Sequence, residues 1–167
     1  VCSSDLGVGD GTFRSGGAGF TGVSTVDSQL KDFNHDGMDD LVIANSAGIK
    51  VYAGTSTGAF APAVDVPIAG AAQISVGDIN GDSNNDIVTN TGLVALGRGD
   101  GGFYVPTAYG PIAGGSIGLG DFNGDGGLDL VTATPVLSGG GVKVAINANN
   151  DTQLLAGADR KSTRLNS

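Results

Sequence analysis

The chain has 167 residues with 31 glycines, a formal net charge of −9, and aspartate as its only acidic residue type. The negative charge argues against nucleic acid or an anionic membrane surface as a partner and favours cations, because phosphate groups attract basic surfaces. No apolar window of about 18 residues is present, so we expect no membrane insertion. Abundant glycine without glutamate favours short strands joined by tight turns over helices.

The two ends of the chain do not continue the pattern that lies between them. Residues 1–6 read VCSSDL and residues 159–167 read DRKSTRLNS. The codons GAT CGG AAG AGC encode DRKS, and their reverse complement, shifted by one base, encodes CSSDL. The ends therefore resemble a translated sequencing adapter, and we expect both to be adapter-derived tags around a repeat region at residues 7–158, with the signal sequence outside this fragment. A natural disordered tail and a surface cysteine are the alternative.

An aspartate-rich stretch occurs three times in the chain. DFNHDGMDDLV at residue 32 returns as DINGDSNNDIV at residue 78 and as DFNGDGGLDLV at residue 121, at spacings of 46 and 43. A PIAG segment and a glycine-rich turn that ends in phenylalanine repeat in the same phase. A period near 45 residues is typical of a four-stranded propeller blade. We expect units at roughly 20–66, 67–110 and 111–150, preceded by the last strand of another unit.

Each unit contains strand-like segments in the same order. In the second unit, ISVGDI (74–79) leads into the acidic stretch, DIVTN (86–90) leaves it, and LVALG (93–97) follows a short turn. An outer strand then carries Pro106, as the first unit carries Pro62, and proline fits an edge strand that need not donate at every position. Without helical periodicity, the pattern predicts an all-β fold, a partial β-propeller of about three four-stranded antiparallel blades.

Oxygen-bearing side chains recur at positions 1, 3, 5 and 9 of each acidic loop. Alternate residues of a tight loop can point to one centre, and the residue at position 7 can add its backbone carbonyl. Five hard oxygen ligands suit calcium, with water completing a shell of roughly six to eight. We therefore predict about three calcium (Ca²⁺) sites. The predicted ligands are Asp32, Asn34, Asp36, Met38 and Asp40; Asp78, Asn80, Asp82, Asn84 and Asp86; and Asp121, Asn123, Asp125, Gly127 and Asp129.

Three other interpretations of these loops are weaker. An aspartate-rich surface turn needs no metal, but three carboxylates within about 4 Å repel one another by several kcal/mol and require a counter-charge. An EF-hand needs flanking helices and a glutamate at position 12, where the chain has Ile43, Thr89 and Thr132. Zinc or copper is disfavoured because residues 7–158 contain no cysteine and the one histidine, His35, sits at an outward position.

The motif D-x-N-x-D-G-x-x-D followed by apolar residues, on a period near 45 and with a G-x-G-D-G-x-F turn between copies, resembles the FG-GAP/VCBS class of repeats. It is similar to the calcium-binding blades of integrin α-subunit propellers, and the resemblance covers residues 7 to about 150. It implies a β-propeller with calcium between the first two strands of a blade, in secreted or cell-surface proteins. The FG and GAP elements themselves are not cleanly present, which favours the bacterial VCBS-like branch.

The sequence favours a binding module over an enzyme. It has no nucleophile elbow, no histidine paired with a nucleophile and no phosphate-binding loop, so we predict no catalytic residue and no organic cofactor. We expect an extracellular module for binding, adhesion or spacing, with structural calcium and a protein or glycan ligand at its loops. The alternative is a lectin-like accessory or substrate-binding part of a secreted enzyme such as a glycosidase. Arg98-Gly99-Asp100 spells an integrin-recognition tripeptide, which we interpret as a turn variant.

Overall fold

The computed structural model describes residues 25–108, 115–134 and 140–147, and every regular element among them is a β-strand. The strands form three antiparallel sheets that follow one another along the chain, which confirms the predicted all-β fold. The first sheet contains β1 (Asp27–Lys31), β2 (Asp40–Asn45), β3 (Gly48–Tyr52) and β4 (Val64–Val66). The second contains β5 (Ile74–Gly77), β6 (Asp86–Thr89), β7 (Leu93–Ala95) and β8 (Thr107–Ala108), and the third contains β9 (Ser116–Gly120), β10 (Asp129–Thr134) and β11 (Gly141–Ala145).

The second strands of the first two sheets are deeply buried, and their sequences explain why. β2 and β6 begin with aspartate and continue as the mostly apolar runs LVIAN and IVT. A continuous apolar run suits a strand that is covered on both faces. β3 instead alternates, with Ile49 and Val51 buried and Lys50 partly exposed between them. Apolar burial thus stabilises the middle of the first two sheets.

Two apolar clusters lie at the junctions between consecutive sheets. One cluster, which includes Val42 and Ile74, joins the first sheet to the second. The other, which includes Val88 and Leu130, joins the second sheet to the third. β1 contacts β5 and β5 contacts β9, so the first strands of the three sheets lie side by side. Each sheet therefore depends on its neighbour for its core.

The outer strands differ from the prediction in one detail. Pro62 and Pro106 lie before β4 and β8 rather than within them. Proline has no N–H to donate to a ladder, so pairing begins after it. Among the residues described, the third sheet has three strands, while the predicted strand of a preceding unit and both predicted tags fall outside the described part of the chain.

The described segments contain no helix that is long and apolar enough to cross a membrane.

Candidate metal centres

Each acidic loop connects the first strand of a sheet to the second. The three loops lie between β1 and β2, between β5 and β6, and between β9 and β10, so each lies at the same end of its sheet. Position 1 directly follows the first strand, and position 9 is the first residue of the second strand. The sequence pattern therefore places the predicted ligands at corresponding points of three consecutive sheets.

All three loops share one backbone bend. Positions 4 and 6 both have a positive φ, a region that costs an L-residue about 1–2 kcal/mol and costs glycine little. Glycine occupies four of these six positions, while His35 (φ 58°) and Ser83 (φ 70°) occupy the others. The motif D-x-N-x-D-G marks the bend at position 6 with its glycine, whereas the bend at position 4 is not part of the motif, although Gly81 and Gly124 occupy it. His35 is exposed, as expected, but it also forms part of the bend.

The side chains at positions 1, 3 and 5 bind the backbone of their own loop. In the first loop, Oδ2 of Asp32 accepts a hydrogen bond from the N–H of Gly37 at 2.9 Å. Oδ1 of Asn34 accepts from the N–H of Asp36 at 3.0 Å, and Oδ1 of Asp36 accepts from the N–H of Met38 at 2.9 Å. The second and third loops repeat all three bonds at 2.8–3.0 Å. The oxygens of these positions are thereby gathered in one tight turn.

The carboxylate at position 9 has a structural role in every sheet. Asp40, Asp86 and Asp129 are buried, with at most 1% of their surface exposed. One oxygen of each accepts from the N–H of position 2 at 2.9–3.0 Å. The other oxygen accepts from an N–H just after the third strand at 2.7–2.9 Å. These aspartates thus clamp the loop to its sheet, and each oxygen keeps one lone pair with which it could bind a cation.

An exposed and a buried carboxylate of these loops, Asp121 and Asp86, differ in the direction in which their surroundings shift the pKa. The N–H of Gly126 and further backbone bonds lower the pKa of Asp121, so its side chain is charged at neutral pH. Burial raises the pKa of Asp86 to about 6, and the charges of Asp82 and Asp78 add to that rise against the bonds it accepts. A cation in the second loop would offset the repulsion between Asp86 and the charges of Asp82 and Asp78, and so would favour the charged form of Asp86.

The donor set of each loop fits a hard divalent cation. The carboxylate and amide oxygens of positions 1, 3 and 5 are exposed or half-buried, and these are the ligands that calcium prefers. In the described part of the chain, no three His, Cys, Asp or Glu side chains form a metal-binding group by themselves. A site in these loops would therefore also use the amide oxygen of position 3 and the backbone carbonyl predicted at position 7.

The Arg98-Gly99-Asp100 tripeptide lies in a tight turn of the second sheet between two residues that pair with each other, Gly97 and Phe103. Oδ1 of Asp100 accepts from the N–H of Gly102 at 2.8 Å, and the guanidinium of Arg98 lies 5.8 Å from the ring centre of Tyr104. Both charged side chains thus have contacts with residues close to them in the chain.

A shallow surface cavity of about 540 Å³, widely open to solvent, lies at the opposite end of the sheets, between the second and third. Its polar lining comes from Gln73, Asn90, Ser116 and Thr134. At the corresponding place between the first and second sheets, Asp27 and Gln29 bind the backbone of Ile74 at 2.9 and 2.7 Å. Gln73 and Ser75 stand at the equivalent positions one repeat later, so the side chains that bridge the first junction are replaced at the second.

Residues 32–89 match the FG-GAP-like repeat family. The matched segment begins at the first acidic loop and includes the second, which confirms the predicted FG-GAP-type repeats. No curated protein matches the chain.

Among solved structures, the chain resembles a lectin from Agrocybe aegerita described for its specific recognition of non-reducing terminal N-acetylglucosamine. The TM-score is 0.57 at 25% sequence identity, and the match covers 74% of this chain and 35% of the lectin chain. The chain thus spans about a third of the lectin's length. The lectin has a β-propeller-like fold, so the three open sheets are confirmed as a partial β-propeller.

We expect Asp40→Ala to destabilise the chain far more than Asp36→Ala when calcium is removed. Asp40→Ala leaves two N–H groups, those of Phe33 and Gly54, without their acceptor, at a total cost of about 3 kcal/mol. Asp36 is exposed, where substitutions typically change stability by roughly 0.5 kcal/mol. Urea unfolding in chelator measures both variants, and equal losses would contradict the clamp.

We also expect Ser83→Gly to raise the free energy of unfolding by about 0.5–1 kcal/mol, because glycine relieves the left-handed backbone at φ 70°. Gly126→Ser is the matched reverse change at position 6 of the third loop. A Cβ at Gly126 would meet no atom within 4 Å, so only its φ of 87° opposes a side chain. Urea unfolding should show a gain for the first variant and a loss for the second. The same sign for both would refute the backbone argument.

Proposed function

We propose that this chain is part of an extracellular, calcium-stabilised β-propeller that acts as a non-catalytic module for binding, adhesion or spacing. One observation carries the proposal: three loops with the same bend present the same oxygen donors at the same end of consecutive sheets. The FG-GAP-like match over the first two loops supports it.

The proposed role of calcium is to hold the first and second strands of each sheet together. The carboxylates that would bind it carry like charges in one tight turn, which disfavours that turn until a counter-charge is present. Extracellular modules bind calcium with dissociation constants of about 10⁻⁴–10⁻³ M. At ten times the dissociation constant one site contributes about 1.4 kcal/mol, and three sites contribute about 4 kcal/mol. That contribution is a large share of the roughly 5–15 kcal/mol that stabilises a typical domain.

Calcium at millimolar concentration should raise the melting temperature relative to chelator, and Asp36→Ala combined with Asp125→Ala should reduce that rise by more than half. Both side chains are exposed, so the variant should keep its fold in chelator. Differential scanning calorimetry gives the comparison, with matched sodium chloride as the control for ionic strength. Identical melting of the unmodified chain in calcium and in chelator would overturn the proposal.

A second candidate function is glycan binding, as a lectin or as the substrate-binding part of a secreted enzyme such as a glycosidase. Two observations favour it: the resemblance to the N-acetylglucosamine-recognising lectin and the cavity lined by Gln73, Asn90, Ser116 and Thr134. Hydroxyl and amide side chains around a concave site can exchange hydrogen bonds with sugar hydroxyls.

A glycan array that includes terminal N-acetylglucosamine tests this candidate. Ser116→Trp should strongly weaken binding, because Ser116 is an exposed residue of the cavity wall and the indole would occupy part of the space that a sugar needs. Ser46→Trp is the matched control, since Ser46 is an exposed serine in the turn at the same end of the first sheet. Binding that survives Ser116→Trp would place the glycan elsewhere, and no binding by the unmodified chain would remove this candidate.

A further inference from the structure

The first and second acidic loops contact each other directly. Nδ2 of Asn85, at position 8 of the second loop, donates to the backbone carbonyl of Asp32 at 2.6 Å. Nε2 of His35, at position 4 of the first loop, lies 3.0 Å from Oδ1 of Asn84, at position 7 of the second. Position 1 of one candidate metal centre is therefore bound by the loop that forms the next one.

A turn of the second sheet completes the contact. The N–H of Gly101 donates to the carbonyl of Phe33 at 3.1 Å. The rings of Phe33 and Phe103 meet edge to face, with centroids 5.4 Å apart. A Cβ on Gly99 would lie 2.4 Å from Oδ1 of Asn84, so the turn packs tightly against this contact. The second sheet thus binds the backbone carbonyls of the first two residues of the first loop.

The side-chain contacts of His35 and Asn85 are specific to the first junction. Gly81 and Leu128 stand in the next pair of loops where His35 and Asn85 stand in this pair, and neither can form the corresponding side-chain hydrogen bond. Among the described residues, Asn147 provides a link at the second junction: it follows β11 and donates to the carbonyl of Ile79 at 2.6 Å.

We propose that calcium binding in the first loop is positively coupled to calcium binding in the second, through Asn85 and the His35–Asn84 contact; this rests on the proposed function. Asn84 is the predicted carbonyl ligand of the second loop, so an ion there would fix the backbone that carries both Asn84 and Asn85. Those two side chains then hold the first loop in its bent conformation. The first loop consequently loses less conformational freedom when it binds its own ion, which raises its affinity.

NMR titration of the full chain with calcium reads each loop separately, because glycine N–H groups report from Gly37 in the first loop, Gly81 in the second and Gly124 in the third. Asp82→Ala, which disables the second loop, should weaken calcium binding at the first about fivefold or more. Asp125→Ala, the same substitution in the non-adjacent third loop, should leave it unchanged to within roughly twofold. Asp82→Asn, which keeps an oxygen for the N–H of Asn84, should act in the same direction as Asp82→Ala.

Two further results separate ion coupling from a merely structural effect. Linkage requires that Asp36→Ala weaken the second loop by the same factor by which Asp82→Ala weakens the first. With His35→Gly and Asn85→Leu, the residues found in the next pair of loops, Asp82→Ala should no longer affect the first loop.

The possible failures are distinguishable. If no loop of the unmodified chain shifts with calcium, the proposed function falls. If the loops bind calcium but the first is indifferent to Asp82→Ala, the coupling is refuted while the proposed function stands. Coupling that is not reciprocal, or that persists after His35→Gly and Asn85→Leu, would also overturn this inference.

Discussion

The rest of this structure depends on one buried carboxylate in each sheet. The aspartate at position 9 opens the second strand, accepts one N–H from the start of its loop and another from just beyond the third strand, and is almost wholly excluded from solvent. A buried acceptor with two donors fixes three segments of chain at once, and its loss would leave backbone N–H groups unsatisfied. This aspartate therefore holds in place the exposed part of the loop, including the candidate ligands at positions 1, 3 and 5.

The apolar clusters explain why the three buried aspartates lie in consecutive, neighbouring sheets. Each cluster lies between two sheets, so a single sheet has no complete core. Consecutive first strands lie side by side, and the loops that follow them are brought near one another at one end of the assembly. The opposite end follows a different rule: Asp27 and Gln29 bridge the first junction, whereas the second junction holds a cavity. At the end opposite the acidic loops, similar repeats thus give different surfaces at the first and second junctions.

The sequence predicts the strands and the repeat well because burial and period determine them. The apolar runs after Asp40, Asp86 and Asp129 are visible in the sequence, and each forms the second strand of its sheet. The contacts between loops could not be predicted, because they depend on which sheets become neighbours: nothing near residue 32 indicates that Asn85 donates to its carbonyl. The left-handed bend at position 4 could have been predicted from Gly81 and Gly124. The first copy has a histidine there, so glycine does not recur at position 4 in all three loops.

The dependence of the first loop on the second sheet bears on how such an array can evolve. A recombination event that exchanged one repeat at the sheet boundary would part Asp32 and Phe33 from Asn85 and Gly101, which bind their carbonyls. A segment that keeps these contacts together would have to contain one sheet and the facing loops of the next, rather than one sheet alone. Selection on a duplicated copy would then act on positions 4 and 8 of its loops, where glycine and leucine replace His35 and Asn85 in the next pair.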